Sequence, residues 1–370
     1  MSSMSRAKSG HIPALDGIRG VAVLLVFLSH TSEKPLVPGG FGVTVFFFLS
    51  GYLITTLLRK EAETTGTISM SSFYVRRAFR ILPPMYLTLA AAWAIARFGH
   101  LPTRGNGLGL LSATFYFFNY ADLTHLHALV PTGMNLLWSL MVEEHFYLIF
   151  PWVYAAFLRK GLKKADQVRL LLASCGVALL WRCILVFGFH TPVDIFPRWT
   201  YSASDARFDA IMFGCILAIA SNPFFDDPSP FLKRWKGYFA VGGLATIVLS
   251  LIIREPHYRE TLRYSAQSIA LYPIFYFCIS TPSARSVSWL NLMPVRWLGW
   301  ISYSAYLIQS SLIILGWKLF PEHHLAVGFA AAALTILYAT GVRFAVEEPL
   351  RKFRNTLERN SRSRKLIQVT

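Results

Sequence analysis

The chain has 370 residues, 54% of them hydrophobic and only 15% charged, and its 36 Lys and Arg against 19 Asp and Glu give a formal charge of +17. Soluble domains carry about 25% charged residues, so this composition excludes an ordinary globular protein and points to a polytopic membrane protein. The basic residues sit in short loops between apolar runs, as the positive-inside rule explains, which excludes a nucleic-acid-binding protein, whose cations gather on one soluble face.

Apolar runs of roughly spanning length fall at 13–32, 41–58, 81–98, 136–157, 169–189, 205–221, 237–253, 263–281, 297–317 and 325–345. The stretch before the first run lacks the short apolar core and small-residue cleavage site of a signal peptide, so that run is expected to remain as a span. A further run, Gly107 to Ala121, is short, with Asn106, Asn119 and Asp122 at its ends. If it does not span, 24 Lys and Arg share one side and eight the other. If it did, the basic loop Arg159 to Lys164 would move to the outside, against the rule.

The sequence thus predicts an all-α, polytopic integral membrane protein with about ten transmembrane helices and both termini cytoplasmic. An outer loop from 99 to 135 is expected to hold a re-entrant or interfacial segment. Residues 1–350 form the membrane-embedded domain, and 351–370 a basic cytoplasmic tail lying along the inner leaflet. There is no internal repeat and no soluble domain. Cys175, Cys183, Cys215 and Cys278 all fall in apolar stretches without metal-ligand spacing, so they are expected to be reduced packing residues and no metal is expected.

Ionisable groups inside spans are functional candidates, because a charge at mid-bilayer costs a few kcal/mol. Arg19 and His30 lie on one face of the first helix, about 16 Å apart along its axis. A snorkelling arginine and a helix-end histidine are the plain alternative. In "NLLWSLMVEEHFYLIFP", Glu143 shares an i, i+4 stripe with Ser139 and Tyr147, whereas Glu144 stacks with Leu140 and Leu148. Glu143 is therefore the carboxylate of interest; a structural partner such as Arg182 or Arg207 would instead make it scaffold. Arg76, Arg77 and Arg80 precede Pro83 and Pro84, a pair suited to opening a helix. The spacing predicts a guanidinium cluster at a cytoplasmic helix N-terminus, fit for phosphate. Positive-inside anchoring would need the same residues. Arg207 and Asp209 open a later span, where function and scaffold are equally served. Glycines through Gly39 to Gly51 allow close helix contact or approach to a ligand.

Together these stretches resemble the acyltransferase-3 family of integral membrane acyltransferases. The resemblance rests on L-D-G-I-R-G with R-x10-H at Arg19 and His30, and on G-x-G-V-x-x-F-F-x-L-S-G at Gly40 to Gly51. It continues in R-R-x-x-R-I-x-P at Arg76 to Pro83 and W-S-L-x-x-E-x-x-F-Y at Trp138 to Tyr147, and ends in L-G-x-x-S-Y-x-x-Y-L at Leu298 to Leu307 and V-E-x-P at Val346 to Pro349.

The resemblance implies O-acylation of a carbohydrate by an acyl-CoA, most often acetyl-CoA, used as donor substrate with no tightly bound cofactor. It implies that His30 is essential with Arg19, that Glu143 serves the reacting centre, and that Arg76, Arg77 and Arg80 handle the donor. Trp138, Ser139, Tyr147, Arg207 and Asp209 are expected to support them. A bacterial cytoplasmic membrane is implied, as is a standalone form without a secreted esterase-like domain. The sequence departs from the family at Thr44, where many relatives have an aspartate, and at Gln309, where a histidine is common; no role is carried to either.

The chemistry suits these residues. A hydroxyl is a poor nucleophile, so His30 is expected to act as general base or as transient acyl carrier, with Glu143 holding the imidazole. The acceptor is expected to be a lipid-linked or cell-envelope saccharide; a diffusible product such as a macrolide or lipo-oligosaccharide is the alternative. Buried Arg, His and Glu also mark transporters, but the related halves common in transporters are not found.

Overall fold

The structure is a computed structural model describing residues 12–31, 37–124, 126–189 and 196–356. The expectations about the N-terminal leader, and about the tail beyond residue 356, lie outside the described residues. Each of the ten apolar runs is a helix: α1 (Pro13–His30), α2 (Gly39–Thr65), α3 (Met70–Phe98), α6 (Leu137–Arg159), α7 (Lys164–Cys183), α9 (Phe208–Ala220), α10 (Pro230–Ile252), α12 (Leu262–Ser280), α14 (Met293–Leu319) and α15 (His324–Val342). Short helices α4 (Gly107–Thr114), α5 (Phe118–Leu123), α8 (Phe196–Ser202), α11 (Pro256–Glu260) and α13 (Arg285–Ser288) lie in the connections. Among the described residues there is no strand, only one isolated bridge between Arg104 and Pro131.

Among the described residues, seven helical segments are long and apolar enough to cross a membrane: Pro13–His30, Gly39–Thr65, Met70–Phe98, Lys164–Gly188, Pro230–Ile252, Met293–Leu319 and His324–Thr356. The other three differ for local reasons. With 13 residues, α9 is short; α6 is interrupted by Glu143, Glu144 and His145, and α12 is diluted by Arg263, Ser265, Gln267 and Ser268. The segment from Gly107 to Ala121 is split between α4 and α5 at Tyr116, whose φ of 61° breaks the helix.

Local chemistry sets the helix ends. Ser69 Oγ accepts the Ser72 N–H at the start of α3, Ser229 does the same for Leu232 before α10, and Gly66 closes α2 at φ 75°. One boundary differs from expectation. Pro83 and Pro84 lie inside α3, not at its start, so Arg76, Arg77 and Arg80 stand on a continuous helix without a free N-terminus beside them. Buried Ile81 and Met85, on either side of the prolines, keep the helix packed, and the Tyr303 hydroxyl donates to the Ile81 carbonyl at 3.0 Å just before them.

Two close crossings join the bundle. α1 lies against α14, where a Cβ on Gly20 would meet the Val295 carbonyl oxygen at 2.3 Å and one on Gly299 the Asp16 carbonyl oxygen at 1.9 Å. α2 lies against α9 in the same way, through Gly51 over the Ile211 carbonyl oxygen (1.9 Å) and Gly214 over that of Phe48 (2.0 Å). Small residues of this kind let helix backbones touch, and apolar solvent offers no other strong reason to associate. The short helix α9 is thereby enclosed by α2, α7 and α12, with Asp209 to Ile219 buried except at Met212.

At the end of the bundle where α1 begins, here the basic end, Asp226 ties three elements together. Its carboxylate accepts from Arg59 at the close of α2 (2.6 and 2.8 Å), from Lys164 at the start of α7 (3.0 Å) and from the Asn222 N–H (2.9 Å). Burial pushes this carboxyl up, but the hydrogen bonds from Arg59, Lys164 and Asn222 outweigh it and hold the group at about 2. A carboxyl lowered on folding stabilises above its ordinary value near 4 and loses that contribution as pH falls through the folded value. Thermal unfolding in detergent is therefore expected to show Tm falling between about pH 4 and about pH 2. Asp226→Asn should lower Tm at neutral pH and flatten that acid limb; an unchanged limb would show that the contact does not stabilise the fold.

Candidate functional site

Two cavities enter the bundle from opposite ends. The first, of about 540 Å3, opens at the basic end, and the second, of about 680 Å3, at the other, beside the loop from 99 to 136. Both are of ligand size.

The basic-end cavity gathers one face from each of several helices. Arg19 comes from α1, Arg77 and Arg80 from α3, and Ser139, Glu143 and Tyr147 from α6, so the i, i+4 stripe read on α6 is the face turned inward. The Tyr147 hydroxyl donates to Glu143 Oε2 at 2.7 Å and lies 2.9 Å from Ser50 Oγ, while Arg77 lies over the Tyr147 ring at 4.8 Å. Glu144, on the other face, is buried outside this cavity. Arg19 Nε is buried and has no hydrogen-bond partner. Arg76 departs from its neighbours: one residue from Arg77 means about 100° of rotation, and its guanidinium pairs with Glu61 at 3.0 Å.

His30 lines the second cavity, with Ser29, Gly39, Gly40, Trp138, Tyr201 and Ser310 among its neighbours. Its Nδ1 lies 2.7 Å from the Val26 carbonyl oxygen. A carbonyl only accepts, so Nδ1 carries a proton, and in the neutral ring Nε2 holds the lone pair. The main chain of α1, not Glu143, orients the ring. The structure thus separates what the sequence groups: Arg19, Arg77, Arg80 and Glu143 share one cavity, and His30 stands in the other. The expected Glu143–imidazole contact is absent from the described residues, because Arg19 and His30 sit at opposite ends of α1 and Glu143 faces the Arg19 end.

The cavities meet at two shared lining residues, Val43 and Tyr306. The Tyr306 hydroxyl is 2.7 Å from Ser139 Oγ, and both oxygens approach the Leu136 carbonyl oxygen, at 3.3 and 3.1 Å. Sequence reading gave no role to Tyr306, nor to Ser302, whose buried hydroxyl lines the first cavity without a partner. Both belong to the S-Y-x-x-Y-L stretch, where i, i+4 spacing was the available signal. Arg343, Glu347, Arg351 and Arg354, assigned to a span edge and a tail, also line the first cavity.

Asp209 and Arg207 part company. Asp209 pairs with Arg182 at 2.7 Å, both side chains fully buried, and Ser265 Oγ donates to the same carboxylate at 2.6 Å. Arg207 instead lies among aromatic faces, its Cζ 3.9 Å from the Tyr264 ring centre, 5.5 Å from those of Tyr201 and Phe47 and 5.9 Å from Trp138. One nitrogen donates to Thr44 Oγ1 at 3.2 Å, while Nε and Nη1 have no partner. Cation–π attraction compensates part of the charge. Neither Arg182 nor Arg207 is the partner of Glu143. Gln309 is fully buried with both amide atoms unpartnered. The four cysteines are free.

Comparison with known proteins identifies the family. The acyltransferase domain family matches residues 12–344, and the chain belongs to that family. It is 29% identical over 95% of its length to the peptidoglycan O-acetyltransferase OatA of Listeria monocytogenes, and 28% identical over 93% to a Staphylococcus aureus protein with a provisional O-acetyltransferase name. It is also 30% identical over 82% to YrhL of Bacillus subtilis, provisionally named a peptidoglycan O-acetyltransferase. The chain spans 58% of the length of the first two relatives and 49% of the third. No solved structure matches it. Its helices and its family make it an integral, multi-pass membrane protein of bacterial type.

The Arg182–Asp209 pair lines neither of the two cavities, and removing one partner should leave an uncompensated buried charge. Asp209→Asn is expected to destabilise the fold by about 3–5 kcal/mol, read as a lowered unfolding temperature in detergent. A variant as stable as the parent would place that charge in contact with water.

Proposed function

We propose that this membrane acyltransferase takes an acetyl group from acetyl-CoA on the cytoplasmic side and delivers it to a hydroxyl of a cell-envelope saccharide. In this reading the ten helices all cross the bilayer, residues 1–350 form the membrane domain, and both termini are cytoplasmic. The observation that carries the reading is the pair of cavities, arginine-lined at one end and holding His30 at the other, which share Val43 and Tyr306 as their wall. The relatives named as peptidoglycan O-acetyltransferases favour a glycan acceptor over a diffusible product.

The donor's nucleotide lies among the arginines, whose planar forks match phosphate oxygens, and its slender pantetheine arm leads the thioester to the wall. An acceptor hydroxyl enters from the other end. Its oxygen attacks the thioester carbonyl carbon while His30 Nε2 takes its proton; the C–S bond then breaks, and the departing thiolate recovers that proton from the imidazolium. The alternative order has Nε2 form the bond to the carbonyl carbon first and expel the thiolate; the acceptor oxygen then bonds to that carbon, the C–N bond breaks, and the hydroxyl proton passes to the thiolate, leaving the imidazole neutral. Glu143 acts on the donor side, where Tyr147 fixes it between Arg19 and Arg77, as a positioning residue.

His30→Ala is expected to lower acetyl transfer by about 10²–10⁴-fold while acetyl-CoA affinity, measured by calorimetry in nanodiscs, stays within error. Glu143→Gln should cost more activity than Glu144→Gln. Normal turnover in His30→Ala would remove the histidine from the mechanism. Topology has its own test: in a background lacking the four cysteines, single cysteines near Lys163 and Lys233 should label only from the cytoplasm, and those near Arg104 and Arg259 from outside. External labelling at Lys163 would reverse the order of spans after the α4–α5 segment.

A further inference from the structure

After α15, one π-helical turn, Arg343 to Glu347, precedes the helical extension to Thr356; the Glu348 N–H reaches back five residues to the Arg343 carbonyl. A π turn inserts one residue into the helical register. The inward face of α15 carries Thr335, Ala339 and Val342. In a straight helix that face would continue through Val346, Leu350 and Phe353, all apolar. With the extra residue the direction passes to Glu347, Arg351 and Arg354, and these three line the basic-end cavity. The register shift thus exchanges an apolar stripe for a charged one at the cavity mouth.

The cavity then holds six arginines, no lysine, and three carboxylates. Each carboxylate accepts a hydrogen bond from a neutral donor: Asp16 from the Trp300 indole (2.8 Å), Glu143 from Tyr147 (2.7 Å) and Glu347 from Ser304 (2.9 Å). Arg343 Nε, like Arg19 Nε, is buried without a partner. Arg343 also pairs with Glu348 at 3.4 Å, just outside the lining; the lining arginines still outnumber the carboxylates near them, which suits a ligand with several negative charges. Beside Arg351 and Arg354, Phe353 is 55% exposed, and its ring centre is 6.3 Å from that of Phe79, a lining residue of the same cavity.

We infer that the extension of α15 is the far half of the donor site: Arg351 and Arg354 bind the 3′-phosphate of coenzyme A, with the adenine against Phe79 and Phe353, while Arg77 and Arg80 take the diphosphate. The inference rests on the acetyl-CoA reading above. Order along the ligand supports it. The 3′-phosphate and adenine stand at the opposite end of coenzyme A from the thioester; Glu347 bonds Ser304, on the basic-end side of Tyr306, and Arg351 lies one helical turn beyond Glu347. An anionic lipid headgroup offers the same phosphate chemistry at a membrane surface, so the test separates the two.

The full chain in phosphatidylcholine nanodiscs is titrated by calorimetry with acetyl-CoA and with its 3′-dephospho analogue. For the parent, removing the phosphate should weaken binding about ten- to hundredfold. For Arg351→Gln/Arg354→Gln, acetyl-CoA should weaken by a similar factor and the two ligands should bind alike. Arg351→Lys/Arg354→Lys, which keeps the charge but not the fork, should fall between. An equal loss for both ligands, or none, overturns the assignment. Unchanged acetyl-CoA binding, together with lost capture of phosphatidylglycerol vesicles, gives these arginines to the lipid surface and also overturns it. A parent that binds neither ligand overturns the acetyl-CoA reading itself, an outcome distinct from a parent that binds both equally.

Discussion

The cost of an uncompensated charge in an apolar medium governs how this bundle is built. The buried arginines of the described helices have found a carboxylate, an aromatic face, a main-chain carbonyl or a cavity. Arg182 and Asp209 neutralise each other at the centre, Arg207 rests on rings, and Arg19, Arg77 and Glu143 surround open volume. Such solutions require helices that approach closely enough to share polar groups, and the glycine contacts between α1 and α14 and between α2 and α9 provide that closeness. A side chain at Gly51 or Gly214 would part the helices that present Thr44 and Arg207 to each other.

The division of labour between the cavities follows from the same geometry. α1 contributes Arg19 to one and His30 to the other, and α6 sends Glu143 to the first while Trp138, near its start, lines the second. Two helices therefore carry the site across the thickness of the bundle. The tautomer of His30 is fixed within its own helix by Val26, so the imidazole does not depend on a distant carboxylate for its orientation.

Periodicity made the inward face of each helix legible, and little beyond it. Hydrophobic runs located the ten long helices, and the stripe of Ser139, Glu143 and Tyr147 marked the glutamate that lines the first cavity, because both depend on spacing along a single helix. The pairing of Arg182 with Asp209 was not legible, since it depends on how α7 and α9 are rotated against each other. Pro83 and Pro84 misled for a different reason: their preference for a first turn is a local one, overridden by apolar surface on both sides. The place of Arg351 and Arg354 in the cavity lining was hidden by one inserted residue. A basic stretch after the last span satisfies the positive-inside rule whether or not a cavity opens beside it, so charge counting could not distinguish a tail from a wall.

The wall made by Val43, Tyr306 and Ser139 has an electrical consequence. Where water enters from both faces, nearly the whole transmembrane voltage falls across the thin layer between, and one elementary charge moved through it exchanges about 2.3 kcal/mol per 100 mV with the field. On the proposed function, a neutral acetyl group would cross such a layer without electrical work, whereas the polyanionic nucleotide that delivers it would not. Two hydroxyls and a valine side chain would then suffice for a bundle hollowed from both sides to pass its cargo without short-circuiting the cell.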